Sequence, residues 1–387
     1  MINLNYLLCF IILFTIISNC LSKKNENCYV LALEGGGDKG AYQAGVIKGL
    51  IDNLPTNKTR YDVITGISVG SINAAALSIY EIGKEKEASE FIIKTWREIT
   101  GKNTIYKNWW LGPLYGLLYK SGIYDTNPLM NFLTAHINDK KVQRQIVIGA
   151  TDIQNTTYVT WDESDFLNNS ENLVKAVLAS AAFPVIFPTR DVDDLSYIDG
   201  GVKNNVDISS GINKCLDLGY EEKEIIVDII LCSAKDKLQE IDKKDLHPIQ
   251  ILMRVIEIFS YDNSMKDVES VPINFPYVNV RYIVYPSKKL PSSLLPLVFK
   301  PEDIETMINI GIQDGFDVIN NYTEEGNGMK VITESRQNRI DENRKRNRKH
   351  KKENEIKREI KSENKNENID RINSLTKEKQ EKLRLLK

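Results

Sequence analysis

The chain has 387 residues, of which 42% are hydrophobic, enough to bury one large α/β core or two ordinary ones and to exclude disorder throughout. Residues 335–387 carry 19 Lys and Arg against 10 Asp and Glu, a net charge of +9, so residues 1–334 carry −11. We therefore expect no nucleic-acid partner for the folded body, because phosphate binding needs clustered Lys and Arg on its surface.

The first predicted element is the apolar run from Leu7 to Ile17, interrupted only by Thr15 and followed by Lys23 and Lys24. It is shorter than the ~20 helical residues of a membrane span but fits the ~7–15 residues of a signal-peptide core. We expect residues 1–20 to be a signal peptide, with an uncleaved anchor or a buried helix as alternatives. The protein would then be secreted or lumenal, and membrane association is a further expectation.

If the chain enters the secretory route, some of its asparagines can be glycosylated and its cysteines can form disulfides. Glycosylation sequons begin at four positions, Asn57, Asn155, Asn168 and Asn321. Cleavage after Cys20 would leave three cysteines, Cys28, Cys215 and Cys232. An odd number allows one disulfide and a free thiol but no complete disulfide framework.

Short apolar runs alternate with helical patterns from residue 29 onward. The predicted strands are 29–34, 61–65, 145–150, 157–161, 224–231 and 277–285, and the predicted helices are 41–54, 71–80 and 172–182. This alternation favours an α/β domain with a mostly parallel sheet covered on both faces.

The first glycine-rich motif, Gly35-Gly-Gly-Asp-Lys-Gly40, joins a predicted strand to a predicted helix. Such a loop presents backbone amides at the positive end of a helix dipole, where they can bind an anion. The loop lacks the Gly-Lys-Ser/Thr ending of a nucleotide-binding P-loop, and the next strand lacks the acidic end of a dinucleotide site. An ordinary tight turn remains the alternative.

The second motif, Gly66-Ile-Ser-Val-Gly70, also lies between a predicted strand and a predicted helix. Glycines two residues before and after a serine permit the strained turn of a nucleophile elbow. The pattern predicts Ser68 as a nucleophile, although another strand-to-helix turn would also fit.

A nucleophilic serine needs a base, and the sequence offers only three histidines, His136, His247 and His350. Each is more typical of a surface residue than of a catalytic triad. The third motif, Tyr197-Ile-Asp-Gly-Gly201, offers Asp199 instead. A carboxylate can act as a general base toward serine if a partly dry pocket raises its pKa, although Asp-Gly-Gly alone is a common turn.

In this order, the three motifs resemble the signature blocks of the patatin-like phospholipases. The block 179–188 is similar to the proline-bearing block that precedes the aspartate of that family, and 118–129 resembles its middle segment. The resemblance covers residues 29–206 well and 207–330 loosely. It implies a three-layer α/β/α sandwich with a mostly parallel central sheet, a Ser–Asp dyad, and hydrolysis of lipid acyl esters without a metal or cofactor.

The resemblance also implies the role of each motif position. Ser68 would be the nucleophile, Asp199 its base, and the amides of Gly35, Gly36 and Gly37 the oxyanion hole. The motif-supporting residues would be Lys39, Gly40, Gly66, Gly70, Gly200 and Gly201. The expected activity is that of a phospholipase A, lysophospholipase or acylglycerol esterase, and the expected partners are a lipid substrate and a lipid surface. An acyltransferase or protease using the same dyad, or a non-catalytic storage or membrane-binding protein, remains an alternative.

Two further segments complete the sequence analysis. Residues 108–119 are rich in Trp and Tyr, and we expect ordinary core beneath a loop, with an acyl-chain pocket wall or an interfacial contact as alternatives. We expect the enzyme domain to span 28–330 and residues 331–387 to form a charged tail, either disordered or a solvated helix. Binding of this tail to an anionic membrane is a hypothesis.

Overall fold

The structure is a computed structural model that describes residues 26–167, 171–233, 247–291, 297–323, 325–349 and 351. The chain divides into two compact units, Met1–Ile332 and Thr333–Lys387. All elements labelled below belong to the first unit. In the second unit, residues 333–349 are helical.

The predicted signal peptide over residues 1–20 lies outside the described residues, as does the tail beyond residue 351. Within the described ranges, no helix is both long and apolar enough to cross a membrane.

The described strands form one large sheet and one small ribbon. They are β1 (Cys28–Leu33), β2 (Val63–Ile67), β3 (Lys107–Asn108), β4 (Tyr124–Asp125), β5 (Gln145–Asp152), β6 (Thr157–Asp162), β7 (Arg190–Val192), β8 (Leu195–Asp199), β9 (Ile225–Ile230) and β10 (Asn279–Val284). In the large sheet the order is β10-β9-β1-β2-β5-β8-β7, with β6 also paired to β5. The first five strands in this order are parallel, whereas β6, β8 and β7 pair antiparallel.

Helices cover both faces of the large sheet. They are α1 (Gly40–Asn53), α2 (Thr56–Thr59), α3 (Val69–Ser78), α4 (Glu85–Arg97), α5 (Pro113–Tyr119), α6 (Asn127–Ile137), α7 (Glu163–Phe166), α8 (Glu171–Ser180), α9 (Ile208–Asp217), α10 (Pro248–Asn274) and α11 (Pro301–Asn321). Along β1, Leu31 and Leu33 join a core with α1, α3, α4, α8 and α11, while Val30 and Ala32 join a second core with α9 and α10. Because successive side chains of a strand point to opposite faces, these two cores make the domain a three-layer α/β/α sandwich, as predicted.

The strand register brings the chemical motifs to one edge of the sheet. Leu33 pairs with Gly66, so the ends of β1 and β2 lie side by side. Ile67 pairs with Gly149, and the next residue, Ala150, pairs with Asp199. Ser68 and Asp199 therefore lie at the same level of the sheet with β5 between them, and their backbones are about 10 Å apart across the sheet. Two side chains reaching toward each other can close that gap.

The antiparallel part of the sheet differs from the sequence prediction. Residues 157–161 form a strand as expected, but β6 turns back along β5 and does not continue the parallel order. Asp199, predicted to follow only a short apolar step, ends the antiparallel strand β8. Short strands with mixed exposure give no clear period in the sequence, which explains why β7 and β8 were missed.

The aromatic segment 108–119 is not core, and that prediction was wrong. Only Gly116 is buried in it, and six of its large apolar side chains are exposed. The error arose because Trp and Tyr are as typical of an exposed apolar surface as of a core, and composition cannot separate the two.

The three cysteines among the described residues form one disulfide and one free thiol, the arrangement left open by the sequence. Cys28, at the start of β1, is bonded to Cys215 in α9, with the two Cα atoms 6.0 Å apart. Cys232 is a buried free thiol.

Candidate active site

Ser68 occupies a sharp turn between β2 and α3. Its φ of 53° and ψ of −125° lie in a region that residues other than glycine rarely adopt. The flanking glycines are required by space. A Cβ at Gly66 would lie 2.4 Å from the carbonyl oxygen of Gly70, and a Cβ at Gly70 would lie 2.5 Å from that of Leu33. This strained strand-to-helix turn has the arrangement of a nucleophile elbow.

Two buried hydroxyl groups hold the turn in place. The amide of Ser68 donates to Oγ of Ser180 at 2.9 Å, and Oγ of Ser71 donates to the carbonyl of Ser68 at 2.6 Å. Ser180 is the last residue of α8 and is fully buried. Sequence reasoning placed Ser180 in the block 179–188 but did not give it a role. The feature that could have identified Ser180 is a polar residue among alanines that are buried.

Asp199 is held at the end of β8 by backbone hydrogen bonds. Its amide donates to the carbonyl of Ala182 at 3.0 Å, and its Oδ1 accepts the amide of Gly201 at 2.8 Å. The other carboxylate oxygen, Oδ2, is buried and accepts no well-aligned hydrogen bond from the described residues. One oxygen is thus fixed by the backbone, and the other remains available for a proton.

Burial raises the pKa of the Asp199 carboxyl from 3.8 to about 6. Hydrogen bonds from the Ser68 hydroxyl and the Gly201 amide lower this pKa, but by less than burial raises it. The Ser68 hydroxyl therefore lies close to the carboxyl, although the two are not in a well-aligned hydrogen bond. Catalytic hydrogen bonds are often loose without substrate. A carboxylate with this pKa is mostly ionised at neutral pH and is a stronger base than an exposed aspartate.

The glycine loop passes directly beside the serine. A Cβ at Gly35 would lie 3.2 Å from Cβ of Ser68, so a larger residue at position 35 would press on it. The amide of Gly35 donates to the carbonyl of Asn205 at 2.9 Å and is already engaged. Within the described part of the chain, the amides of Gly36 and Gly37 have no such partner. Of the three predicted oxyanion-hole glycines, these two have amides available.

The remaining motif positions are explained by close packing. A Cβ at Gly40 would lie 2.2 Å from Cγ2 of Val69, which joins the glycine loop to the helix after Ser68. A Cβ at Gly200 would lie 2.6 Å from the carbonyl oxygen of Gly149 in β5. A Cβ at Gly201 would lie 3.1 Å from Oδ1 of Asp199, within the contact that orients the carboxyl.

Glu34, directly before the glycine loop, is a buried carboxyl that sequence reasoning did not assign. Its Oε1 accepts from the hydroxyl of Ser264 at 2.5 Å, and its Oε2 accepts from the amide of Ser233 at 3.0 Å. Burial raises the pKa of Glu34, while these hydrogen bonds and the charge of Lys39 lower it less. Asn205 donates to the same carboxyl at 3.3 Å. This network fixes the base of the loop. The sequence feature that could have identified Glu34 is an acidic residue at the end of an apolar strand.

The elbow, the aspartate and the glycine loop open onto one cavity of about 190 Å³. Ser68, Asp199, Lys39 and Gly35–Gly37 all line it. Most of the other lining side chains are aliphatic or aromatic, and they include Ile72, Ala76, Ile92, Trp96, Ile105, Leu129, Phe132, Phe183, Phe187, Met253, Ile256, Leu297 and Phe299. Reactive groups in a mainly apolar cavity suit a substrate with one polar bond and a long apolar portion.

Neither of the two described histidines lines this cavity. His136 contacts Glu98 through Nε2 at 2.9 Å, and His247 is an exposed residue at the start of α10. The third, His350, is outside the described residues. No histidine is found among the described residues that line the cavity.

Comparison with known proteins finds a family model that matches the part of the chain that carries the site. Residues 31–212 match the model of the patatin-like phospholipase family. This range includes the glycine loop, the serine elbow and Asp199.

Three relatives indicate how far the similarity extends. The chain is 25% identical over 311 residues to "Uncharacterized protein L620" of Acanthamoeba polyphaga mimivirus, which covers 66% of this chain and 80% of that protein. It is 25% identical over 220 residues to "Patatin group M-3" of Solanum tuberosum, covering 51% and 54%. It is 47% identical over 62 residues to the "cUMP-AMP-activated phospholipase" of Escherichia coli, covering 15% and 19%. The match thus spans about half the length of that patatin.

Proposed function

We propose that Ser68 and Asp199 hydrolyse fatty-acyl esters of lipids, because residues 31–212 match the model of the patatin-like phospholipase family, whose members are generally lipid acyl hydrolases. One observation carries this proposal. A serine in a strained elbow and a buried carboxyl of raised pKa share an apolar cavity with a glycine loop. Each group alone has an ordinary structural explanation. Together the three supply the nucleophile, the base and the oxyanion hole that a serine esterase needs.

The first half of the reaction forms an acyl-enzyme. Asp199 takes the proton from the Ser68 hydroxyl, and Oγ attacks the carbonyl carbon of the ester. The carbonyl oxygen becomes negatively charged and is stabilised by the amides of Gly36 and Gly37. When the intermediate collapses, the bond to the alcohol breaks and Asp199 returns the proton to the departing alkoxide.

The second half releases the fatty acid. Water replaces the alcohol, Asp199 takes one of its protons, and the resulting hydroxide attacks the acyl carbon. The oxyanion forms again beside the glycine loop. Its collapse frees the carboxylic acid and returns the proton to Oγ of Ser68, so the enzyme is restored without any other reactant.

The mainly apolar lining of the cavity supports a long acyl chain as the part of the substrate that binds. Phe132, Phe187 and Trp96 are among its aromatic wall residues, and they offer dispersion contacts without hydrogen bonds. The proposal therefore covers phospholipids, lysophospholipids and acylglycerols, all of which carry such a chain.

The direct test is fatty-acid release from a phospholipid, a lysophospholipid and a triacylglycerol. We expect release from at least one of them, lost in Ser68→Ala and in Asp199→Ala and retained in Ser164→Ala, which removes an exposed serine hydroxyl elsewhere. Release from none by the wild-type protein, or release that survives Ser68→Ala, would contradict the proposal. Transfer of the acyl group to an added alcohol in preference to water would favour the acyltransferase alternative.

We also propose that the chain enters the secretory route, where the enzyme is secreted or lumenal. The apolar run from Leu7 to Ile17 supports this proposal, as does the Cys28–Cys215 disulfide, because such bonds persist in oxidising compartments. Three sequon asparagines have exposed positions, Asn57, Asn155 and Asn321, whereas Asn168 lies outside the described residues.

Cell fractionation combined with thiol labelling tests this location. We expect the protein in the lumenal or extracellular fraction, with Cys28 and Cys215 protected from alkylation until a reductant is added. Glycosidase treatment is expected to increase its mobility on a denaturing gel. A cytosolic protein with both cysteines freely alkylated after denaturation would contradict the proposal.

A further inference from the structure

The largest concentration of exposed apolar side chains in the described residues lies on and before helix α5. We call it the α5 patch, and it consists of Trp110 (85% exposed), Leu111 (55%), Leu114 (66%), Leu117 (55%), Leu118 (63%) and Tyr119 (74%). Single exposed apolar residues are ordinary, but six within ten consecutive residues are not. A contiguous group of this kind marks a surface that meets an apolar partner.

The helix that carries the α5 patch is fixed to the rest of the domain by close packing and by a hydrogen bond. Gly116 is the buried residue of α5, and a Cβ there would lie 2.3 Å from the carbonyl oxygen of Ile123. Beneath the helix, Nε1 of Trp109 donates to the carbonyl of Gly122 at 3.0 Å. The helix thus rests on its glycine and turns its leucines outward, so their exposure follows from how α5 is anchored.

The anchor of α5 connects directly to the wall of the active-site cavity. The amide of Ile123 donates to the carbonyl of Val185 at 2.9 Å, and that of Tyr124 donates to the carbonyl of Ile186 at 3.0 Å. Ile186 and the next residue, Phe187, both line the cavity. The α5 patch is therefore carried on the outside of the same wall that the substrate would touch inside.

A second exposed apolar surface borders the same cavity. Along α10, Met253 and Ile256 line the cavity, while Val255 and Phe259 are exposed on the other side of the helix. Exposed apolar surface therefore occurs on α10, which lines the cavity, and on α5, which is anchored to another part of its wall. This distribution favours a partner from which the substrate itself enters.

The charges around the α5 patch identify the chemistry of that partner. From residue 99 to residue 124 there are three lysines, Lys102, Lys107 and Lys120, and no Asp or Glu, although residues 1–334 carry a net −11. Lys107 is 3.5 Å from Asp125, whereas Nζ of Lys120 lies 5.3 Å from the ring centroid of Trp109. Lysines that precede and follow the exposed Trp, Leu and Tyr residues in the sequence match the boundary between anionic headgroups and acyl chains.

We propose that the α5 patch inserts into the surface of an anionic phospholipid membrane, with Lys102 and Lys120 against its headgroups. This inference rests on the proposed function only in that a lipid substrate is found in such a surface. Binding itself needs no catalysis, so it can be tested in a protein that cannot turn over. The patch would hold the cavity against the membrane and shorten the path of a lipid molecule into it.

The experiment measures co-sedimentation of the full chain with vesicles in the Ser68→Ala background, so that the vesicles stay intact. Vesicles of phosphatidylcholine are compared with vesicles that also contain phosphatidylserine. The triple variant Trp110→Ser, Leu114→Ser, Leu118→Ser is expected to bind the anionic vesicles at least about tenfold more weakly. Circular dichroism and the melting temperature check that each variant is folded.

Tyr119→Ser and Tyr277→Ser form a matched pair. The two tyrosines are 74% and 75% exposed, but Tyr277 precedes β10 at the edge of the sheet opposite the elbow. We expect Tyr119→Ser to weaken vesicle binding and Tyr277→Ser to leave it unchanged. Equal effects of the two substitutions, or full binding by the folded triple variant, would overturn the proposal.

The lysines are tested separately by Lys102→Gln combined with Lys120→Gln. This variant is expected to lose the preference for phosphatidylserine and most of the salt dependence of binding. Equal wild-type binding to both kinds of vesicle would overturn the assignment of an anionic surface. If the wild-type chain forms a dimer that the triple variant abolishes, and neither binds vesicles, the patch is an interface between copies and the proposal fails.

Discussion

The amide of Ser68 donates a hydrogen bond to the hydroxyl of Ser180, 112 residues further along the chain, at 2.9 Å. Both residues are buried, and the bond ties the strained turn after β2 to the end of α8. Asp199 is tied to the same region, because its amide donates to the carbonyl of Ala182. The end of α8 thus positions both members of the proposed dyad.

Removing the Ser180 hydroxyl is expected to impair catalysis through the position of Ser68. In Ser180→Ala the buried amide of Ser68 loses its acceptor, which costs roughly 1–3 kcal/mol of stability. A turn that shifts by a fraction of an ångström is expected to lower kcat roughly 10- to 100-fold with little change in KM. The control is Ser78→Ala, since that buried hydroxyl donates only to Ala75 in its own helix. Equal kcat losses in the two variants would contradict a positioning role for Ser180.

The pKa of Asp199 sets the expected pH profile. Only the ionised carboxylate can take the Ser68 proton, so kcat/KM should rise with pH and reach a plateau above about pH 7, with its midpoint near the pKa of about 6. The profile is measured with a soluble short-chain ester, which avoids effects of pH on vesicles. A midpoint near the ordinary aspartate value of 3.8 would mean that the carboxyl is not held in a dry environment.

The same burial predicts a gain in stability when the charge is removed. The folded-state pKa of Asp199 is raised above 3.8, so its stabilising contribution is fully present below about pH 3.8 and is lost as the pH rises through about 6. Asp199→Asn cannot ionise and should be more stable than wild type at about pH 8, by at most about 3 kcal/mol, while losing activity. The gain should vanish near pH 4, and the exposed control Asp139→Asn should show none. Denaturant unfolding at both pH values measures this difference.

The glycine loop makes a steric prediction at Gly36. A Cβ there would lie 2.5 Å from both Cβ and Sγ of Cys232, so Gly36→Ala must displace the loop from its present position beside Cys232. Displacing the oxyanion amides is expected to lower kcat by ~10²–10³. The control is Gly219→Ala, at a φ of +84° in open space, which should cost about 1 kcal/mol of stability without affecting turnover. Activity in Gly36→Ala equal to that of the control would exclude Gly36 from the oxyanion hole.

The chemical motifs could be recognised from the sequence because each depends on the spacing of residues that are close together in the chain. The spacing of Gly66, Ser68 and Gly70 between an apolar strand and a helix predicts a turn whose backbone angles the structure then displays. The parallel strands β1, β2 and β5 were predicted for a similar reason, since continuous apolar runs bounded by glycine are a local signal.

What the sequence did not reveal depends on contacts between distant residues. The pairing of Ala150 with Asp199 sets the level of the carboxyl, but it comes from an antiparallel strand too short to have a clear period. Ser180 and Glu34 act through partners far away in the chain, which one sequence cannot pair. The exposure of α5 is set by Gly116 resting on Ile123, and composition carries no information about which side of a helix is covered.

The central claim, that Asp199 activates Ser68 in this cavity, is tested most directly by mass spectrometry after treatment with a fluorophosphonate. The account predicts a single adduct on the peptide that contains Ser68, formed quickly by the wild-type protein, absent in Ser68→Ala and much slower in Asp199→Asn, which retains its fold. No adduct on the folded wild-type protein, or an adduct on Ser68 that forms just as quickly in Asp199→Asn, would contradict it.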